Sequence, residues 1–143
     1  MRVRDILNQK SGNIQSTTPG TAIIDAIHQL NEHNIGSLLV LEEGKVVGIM
    51  TERDVLHAAG RATEEWVNLT VGDIMTRDII SCEPEALVEG IMATMTENRI
   101  RHLPVLEGDN LVGMVSIGDV VKARLKETEA EASQLKEYIR TGR

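Results

Sequence analysis

Aromatic side chains are nearly absent from this 143-residue sequence, which has Trp66, Tyr138 and no phenylalanine. The core must therefore be aliphatic, built from Ile, Leu, Val and Met, and a single-stranded nucleic acid would find almost no rings to stack on. Cysteine occurs once, at Cys82. That excludes an intrachain disulfide and a cysteine-rich metal centre, fits a reducing cytoplasm, and reads as a small core filler. Positive charge is in deficit, with 15 Lys+Arg against 22 Asp+Glu and a net charge of −7. This balance favours solubility and disfavours wholesale binding to nucleic acid. No segment approaches the roughly 20 apolar residues of a membrane span. The opening "MRVRDILNQK" lacks an apolar run long enough for a signal peptide. His28 and His33 lie off one helical face and His57 sits on another element, so no transition-metal site is expected. The G-x-S-x-G, H-E-x-x-H, G-x-G-x-x-G and phosphate-loop lysine motifs are missing. No catalytic residue is assigned, and the chain is not read as an enzyme.

What the sequence does have is a repeat. Shifted by 65 residues, 19–56 aligns with 84–121 without a gap, giving 11 identities in 38 pairs, nine of them between Ile35 and Leu56. The openings "VRDIL" (3–7) and "VGDIM" (71–75) match at an offset of 68. Apolar spacing in 21–34 predicts a helix. "GSLLVLEEGKVVGIMT" predicts two strands around a turn carrying Gly44. "ERDVLHAAG" returns to helical spacing, with Gly60 as a C-cap. The second repeat predicts a helix over 85–98, strands "HLPVLE" and "LVGMV", and a helix from about 117. Each unit reads β-α-β-β-α, an α/β (α+β) chain of two tandem units, 3–60 and 71–126, joined by a connector at 61–70. A unit of about 60 residues is marginal for burying a core alone. Two such units are expected to pack as a pseudo-twofold pair, with equivalent strand ends and helix starts converging on two related clefts.

One motif recurs at the strand-to-helix turn of each repeat, "TERD" at 51–54 and "SIGD" at 116–119. Thr51 and Ser116 suit a helix N-cap, and Asp54 and Asp119 three residues later complete a capping box and favour the helix dipole. The same position also suits phosphate or nucleotide binding, since backbone N–H groups and the positive helix end point outward there. A carboxylate at that place accepts from vicinal ribose hydroxyls. Positive charge for a phosphate is concentrated in "NRIRHLPV", which carries Arg99, Arg101 and His102 at a strand entry. Strand alternation sets Arg101 and Leu103 on one face and His102 and Pro104 on the other. The forked donors of Arg101 match a phosphate.

The motif order from "VRDIL" through "IGSLLVLEEGKVVGIMTERDVL" to "NRIRHLPVLEGDNLVGMVSIGDVV" resembles a pair of CBS (cystathionine beta-synthase) domains, a Bateman module, over roughly residues 3–125. The resemblance implies regulatory binding of adenosine-containing ligands, namely AMP, ADP, ATP, NAD or S-adenosylmethionine, with no obligatory cofactor. It implies that Asp54 and Asp119 hold ribose with Thr51 and Ser116 beside them, and that Arg53 and Gly118 lie near ribose or phosphate. Arg101 and His102 match the family's phosphate-contacting pair, while their counterparts Gly36 and Ser37 carry no charge. Ile14 and Ile79 match first-strand positions that flank the adenine. The family pattern also draws Asn8, Lys10, Ile14 and Ile35–Ser37 to Asp119, and Thr76, Ile79 and Ile100–His102 to Asp54.

Beyond 126 the last helix continues to the C-terminus (127–143), with Leu125, Ala132, Leu135 and Ile139 along one stripe and Gly142 as its expected end. Self-association through this stripe, as a homodimer, is the expectation. The chain is thus read as a cytoplasmic sensor of adenine nucleotides that modulates a partner protein. The alternative is a dimerisation or adaptor module, independent of nucleotides, in which the boxes only cap helices.

Overall fold

A computed structural model describes residues 1–10, 14–61 and 65–141. In chain order the elements are α1 (Val3–Gln9), β1 (Ser16–Thr17), α2 (Ile23–His33), β2 (Ser37–Glu42), β3 (Lys45–Thr51) and α3 (Glu52–Arg61). After a 3₁₀ turn at Trp66–Asn68 come α4 (Val71–Ile74), α5 (Val88–Asn98), β4 (His102–Glu107), β5 (Asn110–Ser116) and α6 (Ile117–Thr141). The chain forms two compact units. One comprises Met1–Gly12, Ser81–Glu107 and Val112–Arg143; the other comprises Asn13–Ile80 with Gly108–Leu111.

Each unit therefore takes its opening helix from the other sequence repeat, for which the hydrogen bonds give the reason. Val3 N–H donates to Ala86 O at 2.9 Å and Arg4 N–H to Pro84 O at 2.8 Å, tying "VRDIL" to the second repeat. Val71 N–H donates to Thr21 O at 2.9 Å and Gly72 N–H to Pro19 O at 2.8 Å, tying "VGDIM" to the first. The repeated glycine of "VVGIM" and "LVGMV" receives these helices. A Cβ on Gly113 would lie 2.6 Å from a methyl of Leu7, and one on Gly48 would lie 2.6 Å from the sulfur of Met75.

In the Asn13–Ile80 unit, β1 runs parallel to β2, and β2 pairs antiparallel with β3 in register Ser37 with Thr51 and Val40 with Gly48. Glu43 and Gly44, both at positive φ (52° and 79°), make the two-residue turn between β2 and β3, the geometry that matches strand twist. Ala26, Leu30, Leu38, Val40, Met50, Val71 and Met75 form its core. In the other unit β4 pairs with β5, and Val3, Val88, Leu103, Val105, Val115 and Val120 are fully buried.

Three local expectations are corrected. The first strand shrinks to two residues in the first repeat and to a single parallel bridge, Cys82 with Val105, in the second. Ile14 and Ile79 lie before these pairings rather than in strands. Helix α3 runs through Gly60 to Arg61 instead of capping there, whereas α2 and α5 stop on Asn34 and Arg99 in the left-handed region. The expected cap at Gly142 falls outside the described residues.

Candidate functional site

Both hydroxyl–x–x–Asp motifs fold as capping boxes. Thr51 N–H donates to Asp54 Oδ2 at 2.8 Å, and Asp54 N–H donates back to Thr51 Oγ1 at 3.3 Å. In the second repeat Ser116 N–H donates to Asp119 Oδ2 at 2.9 Å, and Asp119 N–H to Ser116 Oγ at 3.2 Å. The strand entries close onto the same helix starts. Glu52 N–H donates to Gly36 O at 3.0 Å, and Ile117 N–H to Arg101 O at 2.8 Å. Residues distant in sequence thus meet at one turn.

Capping alone does not distinguish these turns, because a third box has the same pattern. Thr70 N–H donates to Asp73 Oδ2 at 2.9 Å at the start of α4, and among the described residues Thr70 alone donates to that carboxylate. What sets Asp54 and Asp119 apart is a further partner. Thr76 Oγ1 donates to Asp54 Oδ1 at 3.0 Å. Lys10 Nζ donates to Asp119 Oδ2 at 2.9 Å and to Met114 O at 2.9 Å. At Asp119 burial pushes the carboxyl pKa up, but the Ser116 amide and the Lys10 ammonium outweigh it and leave the pKa below its ordinary 3.8.

The surroundings of the two aspartates differ. Asp54 borders a cavity of about 630 Å³, with His57, Arg61, Glu65, Trp66, Asn68 and Asp73 on its walls. Asp119 borders a small hollow of about 50 Å³, where Lys10, Lys122 and Lys126 converge. One site is roomy and carries more acid than base; the other is tight and basic.

The structure collects Lys10, Arg101, Ser116, Gly118 and Asp119 in one unit, and Gly36, Ser37, Thr51, Arg53, Asp54 and Thr76 in the other. Arg53, Arg101 and Gly118 are exposed, and His102 is half-buried. Ser37 is buried at 1% exposure opposite Thr51. Ile35 packs against the core of its unit. Pro104 is buried and accepts the Cys82 N–H at 3.0 Å. Asn8 is exposed on α1, Ile100 is half-buried, and Ile79 belongs with Asp54 in the Asn13–Ile80 unit. The residues that sequence reasoning missed are Lys122, Lys126 and the walls beside Asp54. Lys122 and Lys126 follow Asp119 at helical spacing, a signal that stands out only once Lys10 lies beside them.

The family described as CBS domain matches residues 3–61 and again residues 71–126. The chain belongs to the CBS domain family. CBS domain-containing protein CBSX3, mitochondrial, of Arabidopsis thaliana is 37% identical to it over 98% of this chain and 72% of that protein. The crystal structure of the CBS-domain containing protein ATU1752 from Agrobacterium tumefaciens superposes with a TM-score of 0.83 and 36% identity, covering 87% of this chain and 99% of that one. The CBS domain pair of protein MJ0100, solved in complex with 5′-methylthioadenosine and S-adenosyl-L-methionine, gives a TM-score of 0.77 and 28% identity over 89% of this chain and 98% of that one. Among the described residues no group of three or more His, Cys, Asp or Glu is placed to hold a metal ion, and no helix is long and apolar enough to cross a membrane.

Proposed function

We propose that this CBS pair is a regulatory module that binds adenosine-containing ligands at the turns carrying Asp54 and Asp119 and passes the ligand state to a partner protein. The observation that carries the reading is the doubly used carboxylate. In each repeat one aspartate both caps a helix and takes a further donor, Thr76 or Lys10, at the end of a strand. The adenosine ligands of the MJ0100 CBS pair support the ligand class. Asp119, with Lys10, Lys122 and Lys126 beside it and Arg101 at the strand entry, suits phosphate-bearing ligands such as AMP, ADP, ATP or NAD. Asp54, in a more acidic and larger cavity, suits a neutral or cationic adenosine derivative such as S-adenosylmethionine. Ligands act here as regulators, and no reaction is assigned.

The exposed stripe on α6 carries the second part of the proposal, self-association as a homodimer, with 127–141 as an appended stretch of that helix. Cys82, a buried free thiol, suits a reducing compartment such as the cytoplasm. The adaptor reading, in which every box only caps a helix, draws on the Thr70–Asp73 box. Calorimetric titration of AMP, ATP, NAD and S-adenosylmethionine separates the two: the regulatory reading expects binding below millimolar concentration that is lost on Asp119→Asn or Asp54→Asn, and the adaptor reading expects none.

A further inference from the structure

We infer, extending the self-association proposed above and resting on it, that α6 pairs with α6 of a second copy as a parallel, in-register coiled coil. Val121, Leu125, Thr128, Ala132, Leu135 and Ile139 recur at steps of 4, 3, 4, 3 and 4, the spacing of heptad core positions. Val121 is 44% exposed, Leu125 58%, Leu135 60% and Ile139 72%. The same helix buries Val120 and Ala123 in its own unit, so the seam is a second face that its own unit leaves uncovered. From Val121 to Ile139 it runs about 27 Å at the helical rise of roughly 1.5 Å per residue.

Charge decides the occupant and its direction. With Leu125, Ala132 and Ile139 at position a, the flanking e positions are Lys122, Glu129 and Lys136, and the g positions are Arg124, Glu131 and Tyr138. In a parallel pair each g residue faces the e residue of the next heptad on the other helix. Arg124 then faces Glu129 of the second copy, and Glu131 faces Lys136, each contact occurring twice by symmetry. Arg124 is already held by Glu89 at 3.0 Å and Glu127 at 2.8 Å, so Glu131 with Lys136 carries the discrimination. An antiparallel pair covering the same six layers sets Lys122 against Lys136, Glu129 against Glu129 and Glu131 against Glu131. Every charged contact is then between like charges. Antiparallel registers shifted by a heptad restore attraction but leave either Leu125 or Leu135 and Ile139 uncovered.

The test uses the full chain, with the buried Cys82 of the parent as the blank for disulfide formation. Under mild oxidation Leu125→Cys and Leu135→Cys are each expected to give disulfide-linked dimers alone, and their mixture no 125–135 cross-link; a cross-link formed only in the mixture overturns the inference. By sedimentation equilibrium Glu131→Lys and Lys136→Glu each weaken the dimer about fivefold or more, and the double variant returns to within about twofold of the parent. Tighter association of Lys136→Glu alone, relieving Lys122, overturns the parallel arrangement. A dimer indifferent to Ile139→Asp places the interface elsewhere and overturns it too. A chain that stays monomeric at roughly 100 μM overturns both the coiled coil and self-association, and the ligand titrations still decide the sensor reading on their own.

Discussion

Lys10 and Asp119 are joined by a 2.9 Å ion pair that ends on the oxygen already accepting the Ser116 amide. The corresponding contact in the other repeat is a hydroxyl, Thr76 to Asp54. The Asp119 carboxylate is therefore paired with an ammonium, and the Asp54 carboxylate with a hydroxyl. Lys10→Met is expected to weaken AMP binding about tenfold while changing stability by less than about 1 kcal/mol, because the Lys10 side chain is 40% exposed. Calorimetry at two salt concentrations checks this, with the salt dependence shrinking in the variant.

Stability should respond to acid through Asp119. Its folded-state pKa lies below the ordinary 3.8. The unfolded chain therefore takes up the proton first as pH falls, and the stabilisation present above about pH 4 is lost as pH drops through the lower folded value. Urea unfolding of the parent should weaken between pH 5 and pH 3 (roughly the window around an aspartate). Asp119→Asn should flatten part of that slope.

The glycines that receive the opening helices are not equivalent. At Gly113 a new methyl meets only the flexible tip of Leu7, whereas at Gly48 it meets the Met75 sulfur and, at 3.0 Å, the backbone oxygen of Thr76. Gly48→Ala is expected to cost about 1–3 kcal/mol in chemical denaturation and Gly113→Ala less. Pairing Gly113→Ala with Leu7→Ala should recover part of its loss, a non-additivity that shows the contact directly.

Arg99 ends α5 at φ 54°, the conformation that Asn34 adopts at the end of α2. A long side chain bears a cost there that Asn or Gly largely avoids. Arg99→Asn is expected to stabilise the fold by about 0.5–1 kcal/mol, measured by thermal or urea unfolding.

Burial pushes the Cys82 thiol up to about 11. It should resist alkylation at pH 8 until the chain unfolds, so the rate of modification reports opening of its unit.

Much of this architecture is legible in the sequence because the two repeats check each other. The strands "SLLVLE" and "HLPVLE" alternate with helices of clear apolar spacing, and both capping boxes are visible as hydroxyl and carboxylate three residues apart. The exchange of opening helices was not legible: "VRDIL" and "VGDIM" each carry an apolar face, but nothing in their spacing says which repeat will cover it. The sign of that packing is the bare glycine in each third strand, whose meaning appears only once Leu7 and Met75 lie against it. The Thr70–Asp73 box does not stand out in the sequence because it belongs to a four-residue helix with no periodicity to announce it. Lys10 was expected near Asp119 from family resemblance alone; the cluster with Lys122 and Lys126 needed the helices in place.

The most direct test of the account is a titration of AMP into the parent chain, Asp119→Asn and Asp73→Asn. Asn preserves the capping geometry while removing the charge, so all three proteins should fold alike. Asp119→Asn should weaken AMP binding at least tenfold, and Asp73→Asn, at a residue that caps α4 and borders the Asp54 cavity, should leave binding at the Asp119 turn unchanged. Equal affinity of the parent and Asp119→Asn, or equal loss in Asp119→Asn and Asp73→Asn, would contradict it.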